Sequence, residues 1–302
     1  MCDKAKLEKW AKETISRRHF GVLGGMAAIA ACAPMGGRSD TQEPQDVTTA
    51  SPGGFPAWTE RNVSFAAGSE TIDGFFVAPT SGPAPAVLLW PDIAGLRESK
   101  REMARRLAGR GYSTFVINPY YRDRQGQIWE DFADFAGNGG WPIAREMRGK
   151  LNAEAVMHDA KAAVSWLDEQ KEVDTRRGIG TQGYCMGGPF TFWTAAAVPG
   201  RVRAAGSFHG GGLVKPDDPM SPHKLIDKTK ASFLVAIAQD DDAEAPNDKV
   251  VLRESFDATG HQAKVEVYAG DHGWCVPDSP AYNEAAAEKA WADLMELYEA
   301  AL

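Results

Sequence analysis

The run Arg177-Gly178-Ile179-Gly180-Thr181-Gln182-Gly183-Tyr184-Cys185-Met186-Gly187-Gly188 sets one cysteine inside a glycine frame, between a short strand-like segment and a helix-like one. A strand that turns straight into a helix holds the corner residue in strained geometry. Glycines two before and two after it let the chain pass close by without Cβ clashes. The helix start aims backbone N–H groups at the same point, which favours a thiolate and later an oxyanion. A lone cysteine is ordinarily a buried packing residue. The frame at a strand end reverses that reading and makes Cys185 a candidate nucleophile.

Working outward, strands and helices alternate. Asn62–Phe76 alternates around Gly68-Ser69 as an antiparallel hairpin does, and Ala86–Trp90 and Ser113–Ile117 are short continuous apolar runs of the kind buried on both faces of a parallel sheet. Between them Ser99–Arg110 has apolar residues at helical spacing on one side and charges on the other. Leu151–Gln170, Pro189–Ala197, Leu252–Thr259 and Asn283–Ala301 read as further helices, and Ala204–Phe208, Phe233–Ala238 and Lys264–Tyr268 as further strands. Arg122–Arg148 is irregular and aromatic, as in a substrate-covering insertion. The fold class is α/β: a mostly parallel, doubly wound sheet with helices on both faces and ligands at the carboxyl ends of the strands.

Hydrophobic residues make up 43% of the chain and charged ones 25%, as in an ordinary globule, while a net charge of −8 without a basic stripe excludes nucleic acid as a partner. Residues 1–33 stand apart. Arg17-Arg18 precedes the short apolar stretch Gly21–Ala31, which reads as a twin-arginine export signal, and Ile29-Ala30-Ala31-Cys32 resembles a lipobox. Cys32 is then a lipid anchor to a membrane, residues 34–57 a flexible tether, and 58–302 the folded domain of an exported bacterial protein, periplasmic or membrane-anchored. Only Cys185 and Cys275 remain in the domain, so it is not a disulfide scaffold, and neither has zinc-ligand spacing in sequence.

Gly183-Tyr184-Cys185-Met186-Gly187-Gly188 resembles the elbow of the dienelactone hydrolase family, α/β-hydrolases that use Cys, His and Asp. Pro91-Asp92-Ile93-Ala94-Gly95-Leu96, Asn118-Pro119-Tyr120-Tyr121-Arg122 and Gly270-Asp271-His272-Gly273-Trp274 resemble three further family segments in order and spacing. The likeness spans Trp58 to Leu302 and implies an α/β-hydrolase fold and cleavage of a small-molecule ester or lactone through an acyl thioester, with no metal or organic cofactor. An inactive hydrolase fold serving as a binding module is the alternative. The sequence leaves the oligomeric state open.

His272, late in the chain after a strand, has the position of the triad base. Asp240, Asp241 and Asp242 all follow Phe233–Ala238, and the family's spacing selects Asp241. The resemblance gives the backbone N–H groups of Ile93 and Met186 as the oxyanion hole, and Asp92 as the acid standing where the family carries glutamate. The family's carboxylate-binding arginine after the histidine is missing from Gly273-Trp274-Cys275-Val276, leaving Arg122, Arg145 and Arg148 as candidates from other loops. Trp274 and Cys275 point to a more apolar pocket there. His209, at the end of a strand on the same edge, is a candidate pocket residue, and pairing of Cys185 with Cys275 is a candidate redox switch.

Overall fold

The computed structural model describes residues 57–302 and the backbone of Val47–Thr49. The stretch read as an export signal, Cys32 and most of the stretch read as a tether lie outside the described residues. Within the stretch read as tether, Val47–Thr49 forms a strand, β1, paired antiparallel with Trp58, Thr59 and Glu60.

The hairpin is longer than its alternation indicates: β2 is Trp58–Ala67 and β3 Glu70–Pro79. The other strands are β4 (Ala86–Trp90), β5 (Ser113–Ile117), β6 (Ile179–Tyr184), β7 (Val202–Phe208), β8 (Ser232–Ala238) and β9 (Ala263–Tyr268). They make one nine-stranded sheet in the order β1-β2-β3-β5-β4-β6-β7-β8-β9. β2 and β3 are antiparallel and β3 runs antiparallel to β5; from β5 to β9 every pairing is parallel. The apolar runs of β4 and β5 are buried at every residue, because helices cover both faces.

The helices are α1 (Glu98–Ala108), α2 (Phe132–Gly137), α3 (Gly140–Arg148), α4 (Ala153–Asp168), α5 (Gly188–Ala197), α6 (Gln239–Glu244), α7 (Asp248–Thr259) and α8 (Glu284–Ala301). α4 presents Val156, Ala160 and Ala163 to the same side as Phe190 of α5, and α7 joins that side through Leu252 and Phe256. Leu107 of α1 and Leu294 and Tyr298 of α8 cover the opposite side. Asn152 and Asn283 cap α4 and α8, each side chain accepting a backbone N–H three residues on.

Two regions are more regular than their sequences indicate. The aromatic insertion holds α2 and α3, joined through Gly139 at φ 76°, with Phe135 ringed by Trp129, Phe132 and Trp141 at centroid distances of 4.8–5.4 Å. The acidic run after β8 is not an open turn but the helix α6, whose first-turn aspartates suit the positive end of the helix dipole.

The connection from β4 through α1 to β5 moves one way across the sheet, and the next strand, β6, returns to the other side of β4. The carboxyl ends of β4 and β6 therefore flank the point where the winding reverses, the crevice in which open α/β sheets place ligands.

Candidate active site

β6 ends at Tyr184, and Cys185 opens a single 3-10 turn, Cys185–Gly187, before α5 begins. Cys185 has φ 52°, a left-handed conformation that costs a non-glycine residue on the order of 1–3 kcal/mol and persists only where the surroundings enforce it. The glycine frame does so. A Cβ on Gly183 would lie 2.0 Å from the Gly187 carbonyl oxygen, and one on Gly187 would lie 2.6 Å from that of Trp90. The thiol is thus lifted to the carboxyl edge of the sheet, next to the loop after β4.

His272 lies in the loop between β9 and α8, its ring nearly buried. Its Nδ1 is 2.7 Å from Oδ2 and 3.0 Å from Oδ1 of Asp241, and its backbone N–H donates to Asp240 Oδ1 at 2.8 Å. Asp242 faces away and holds Lys249 Nζ at 2.6 Å. Of the three aspartates left open by the sequence, Asp241 is the one whose carboxylate meets the imidazole. With Nδ1 so engaged, Nε2 is the ring nitrogen available to Cys185, to which His272 is hydrogen-bonded. Burial opposes a charge on His272, but the charge of Cys185 and the hydrogen bonds to Asp241 and Cys185 outweigh it and raise its pKa to about 10.

The loop after β4 is held by a buried group of charges. Asp92 takes two bonds from Arg97, Nη1 to Oδ1 at 2.7 Å and Nη2 to Oδ2 at 2.9 Å, and Lys100 Nζ lies 2.8 Å from Oδ2. Arg97 also donates to both oxygens of Asp278, at 2.7 and 2.8 Å, and Asp278 accepts the Phe132 N–H at 3.0 Å. Arg97 and Lys100 are fully buried. Burial alone would raise the Asp92 carboxyl; the charges of Arg97 and Lys100 overcome it and hold the group well below the usual carboxylate range. The sequence sets the charges of Ser99–Arg110 on the outer side of the helix, whereas Lys100 lies on the buried side with Ala104 and Leu107. The signal was present in an aspartate five residues before an arginine that opens a helix, but such spacing is ordinary on a solvated surface. Tyr120 was also passed over as an individual residue: its buried hydroxyl donates to the Ile93 carbonyl at 2.8 Å and lies 3.4 Å from Met186 Sδ, tying the β4 loop to the elbow.

The pocket above Cys185 is lined by Ile93, Phe132 and Val276 with Asp92, His209, His272, Gly273 and Ser279. Its apolar character comes from these residues. Trp274 instead stacks on Tyr268 beneath the pocket, and Cys275 lines a separate, larger cavity with Tyr184, Phe208 and Trp291. No disulfide joins the two thiols, and burial pushes that of Cys275 up to about 12. None of the three candidate arginines lines the pocket. Arg122 is held by Glu70 and Asp159, Arg145 is exposed, and Arg148 donates to the Leu151 carbonyl and lies over Phe190.

Proteins of known sequence and structure resemble this chain over most of its length. The "Putative carboxymethylenebutenolidase" of Escherichia coli strain K12 is 26% identical over 73% of this chain and 78% of its own length, and that of Methylorubrum extorquens 28% identical over 72% of each. The crystal structure named "Putative Dienelactone Hydrolase" from Klebsiella pneumoniae is 25% identical, superposes with a TM-score of 0.67, and covers 80% of this chain and 98% of its own. The sequence model of the dienelactone hydrolase family matches residues 72–302, from the second strand of the hairpin through the elbow and the histidine loop to the last residue, and the chain belongs to that family.

Proposed function

We propose that the protein is a cysteine-dependent hydrolase of neutral carboxylic esters or lactones, acting through Cys185, His272 and Asp241. The observation that carries this reading is the unbroken contact from the strained Cys185 to His272 and from His272 Nδ1 to Asp241 at 2.7 Å, at the winding reversal of the sheet. In the resting site the thiolate pairs with imidazolium. Sulfur attacks the substrate carbonyl, and the N–H groups of Ile93 and Met186 receive the oxyanion. As the carbonyl re-forms, the C–O bond breaks and His272 gives its proton to the departing alkoxide, leaving a thioester on Cys185. Water, losing a proton to His272, then attacks the thioester and restores the thiolate with release of the acid. Asp241 orients the imidazole and favours its charged form.

Asp92 serves as an anchor for the Ile93 loop more than as a proton acceptor, since a carboxyl held so far down by Arg97 and Lys100 takes a proton poorly at neutral pH. With no lysine or arginine in the lining and Ile93, Phe132 and Val276 as walls, the pocket favours uncharged, apolar substrates over carboxylate-bearing ones. Turnover of p-nitrophenyl acetate and simple lactones, wild type beside Cys185→Ala, tests the assignment. Activity that disappears in the variant supports it, and none in either protein moves the balance to a binding module.

The twin-arginine pair and the lipobox-like Ile29–Cys32 support export and anchoring at Cys32. Mass spectrometry of the N-terminal peptide from a bacterial host should find a lipidated Cys32, and an unmodified N-terminus beginning elsewhere would overturn this.

A further inference from the structure

His209 has no part in the proposed hydrolysis, yet it is a fully buried polar ring at the site. It follows β7 with φ 39°, is 1% exposed, and neither ring nitrogen has a hydrogen-bond partner among the described residues. Its ring packs edge-on against His272 at 4.7 Å and against Trp274 at 5.3 Å. A buried imidazole with both nitrogens unbonded is costly unless something else uses them. Burial, followed by the charge of His272, lowers its proton affinity well below the usual value, so its lone pair stays available.

What that lone pair faces is a donor set. Cys185 Sγ and one ring nitrogen each of His209 and His272 all lie within 4.8 Å of one another. Ligands around a tetrahedral zinc ion are about 3.5 Å apart, so a contraction on the order of 1 Å closes the triangle. One thiolate and two imidazoles suit Zn2+ and other soft or borderline divalent ions. The carboxylate of Asp241 behind His272 Nδ1 is the partner that metal-bound imidazoles recurrently have. The three residues come from three different strand ends, which is why spacing in the sequence gives no sign of them. The other cluster of this kind among the described residues, Glu70, His158 and Asp159, is already engaged by Arg122.

We propose that Cys185, His209 and His272 form a site for a thiophilic divalent metal ion of the Zn2+ type, which binds in competition with substrate and reversibly silences the nucleophile. The fourth position faces the pocket. Binding makes one metal–sulfur and two metal–nitrogen bonds and releases the Nε2 proton of His272 to solvent, so apparent affinity weakens as pH falls. The ion is an inhibitor here and takes no part in turnover.

The test is direct binding, independent of whether the protein hydrolyses esters. Co2+ titrated into the purified full chain should reach one equivalent with a thiolate-to-cobalt charge-transfer band, displaced by Zn2+ and abolished in Cys185→Ser. Cys275 does not compete, because burial holds it as a thiol. In His209→Asn, chosen because asparagine tolerates left-handed φ, Kd should rise at least about tenfold with the circular dichroism spectrum unchanged. One equivalent of Zn2+ should also protect wild-type Cys185 from iodoacetamide, which keeps the question answerable if the His209 variant fails to fold. No band and no protection in the wild type, or equal affinity in a folded His209→Asn, would overturn the proposal. Zn2+ inhibition of ester turnover, relieved by chelator, is the additional readout if the hydrolase reading holds; turnover that persists with Zn2+ bound would overturn the silencing, whereas a metal-free protein that binds Zn2+ but hydrolyses nothing counts against the hydrolase reading alone.

Discussion

Two groups of charged side chains flank Cys185, and each sets carboxylates against bases in a different way. In the first, Asp241 meets His272 on one side only, and the far ring nitrogen is left for the thiol. In the second, Asp92 and Asp278 divide Arg97 and Lys100 between them, two negative and two positive charges closed on one another inside the fold. The first group keeps a face open and can pass a proton to a substrate. The second keeps none, and its product is the position of the loop that carries Ile93. A carboxylate beside a base makes a proton relay only where the network stops short of completion.

The largest effect that would break this contrast falls on the open group. Asp241→Asn should lower kcat/KM on the order of 10^2- to 10^4-fold, because the neutral amide neither favours imidazolium nor fixes its orientation. Thermal stability should change by only about 1 kcal/mol, since the Asp241 side chain is partly solvated. Asp240→Asn and Asp242→Asn, whose carboxylates meet the His272 and Asp241 backbone N–H groups and Lys249 but not the imidazole, should each cost at most about tenfold. Steady-state kinetics of the three variants side by side checks the assignment. A larger loss in Asp240→Asn or Asp242→Asn than in Asp241→Asn would sink it.

For the closed group the balance of effects reverses. Arg97→Met removes four short hydrogen bonds to two carboxylates and leaves both buried with Lys100 alone, which should destabilise the fold by about 3–5 kcal/mol. Denaturant unfolding measures this. Activity in the folded fraction should fall less than in Asp241→Asn, because Tyr120 still holds the Ile93 carbonyl. An Arg97→Met protein as stable as wild type would mean that the quartet is not what fixes the loop.

The same contrast explains what the sequence discloses. Cys185 is legible because the elbow needs glycine where Cβ atoms would strike backbone, and such a demand leaves a mark in one short run. β4 and β5 are legible because strands covered on both faces have no polar side to interrupt them. His272 and Asp241 are partly legible from their order after particular strands, although only the fold separates Asp241 from its neighbours. Arg97, Lys100 and Asp278 are not legible, since a charge cancelled by a residue 181 positions away looks like any surface charge. His209 looked like a pocket residue from its strand end, but its two unbonded nitrogens depend on three loops converging.

The smallest effect sharpens the comparison through pH. His272 binds its proton more tightly in the folded chain, near pH 10 against an ordinary 6.5, so the stability it contributes is complete below about 6.5 and is lost as pH rises through 10. Asp92 is shifted the other way from its ordinary 3.8: its contribution is present above that value and is lost as pH falls toward its depressed one. The open group should thus limit stability on the alkaline side and the closed group on the acid side. Cys185→Ala separates them, because the charge of Cys185 is the strongest influence holding the His272 proton against burial. In that variant the His272 titration, followed by NMR of its ring protons, should move down toward the ordinary histidine range, and the alkaline loss of unfolding free energy should begin at lower pH with it. The acid limb should stay where it was. If His272 titrates near 10 in both proteins, Asp241 alone sustains the charge and the thiolate contributes nothing to it.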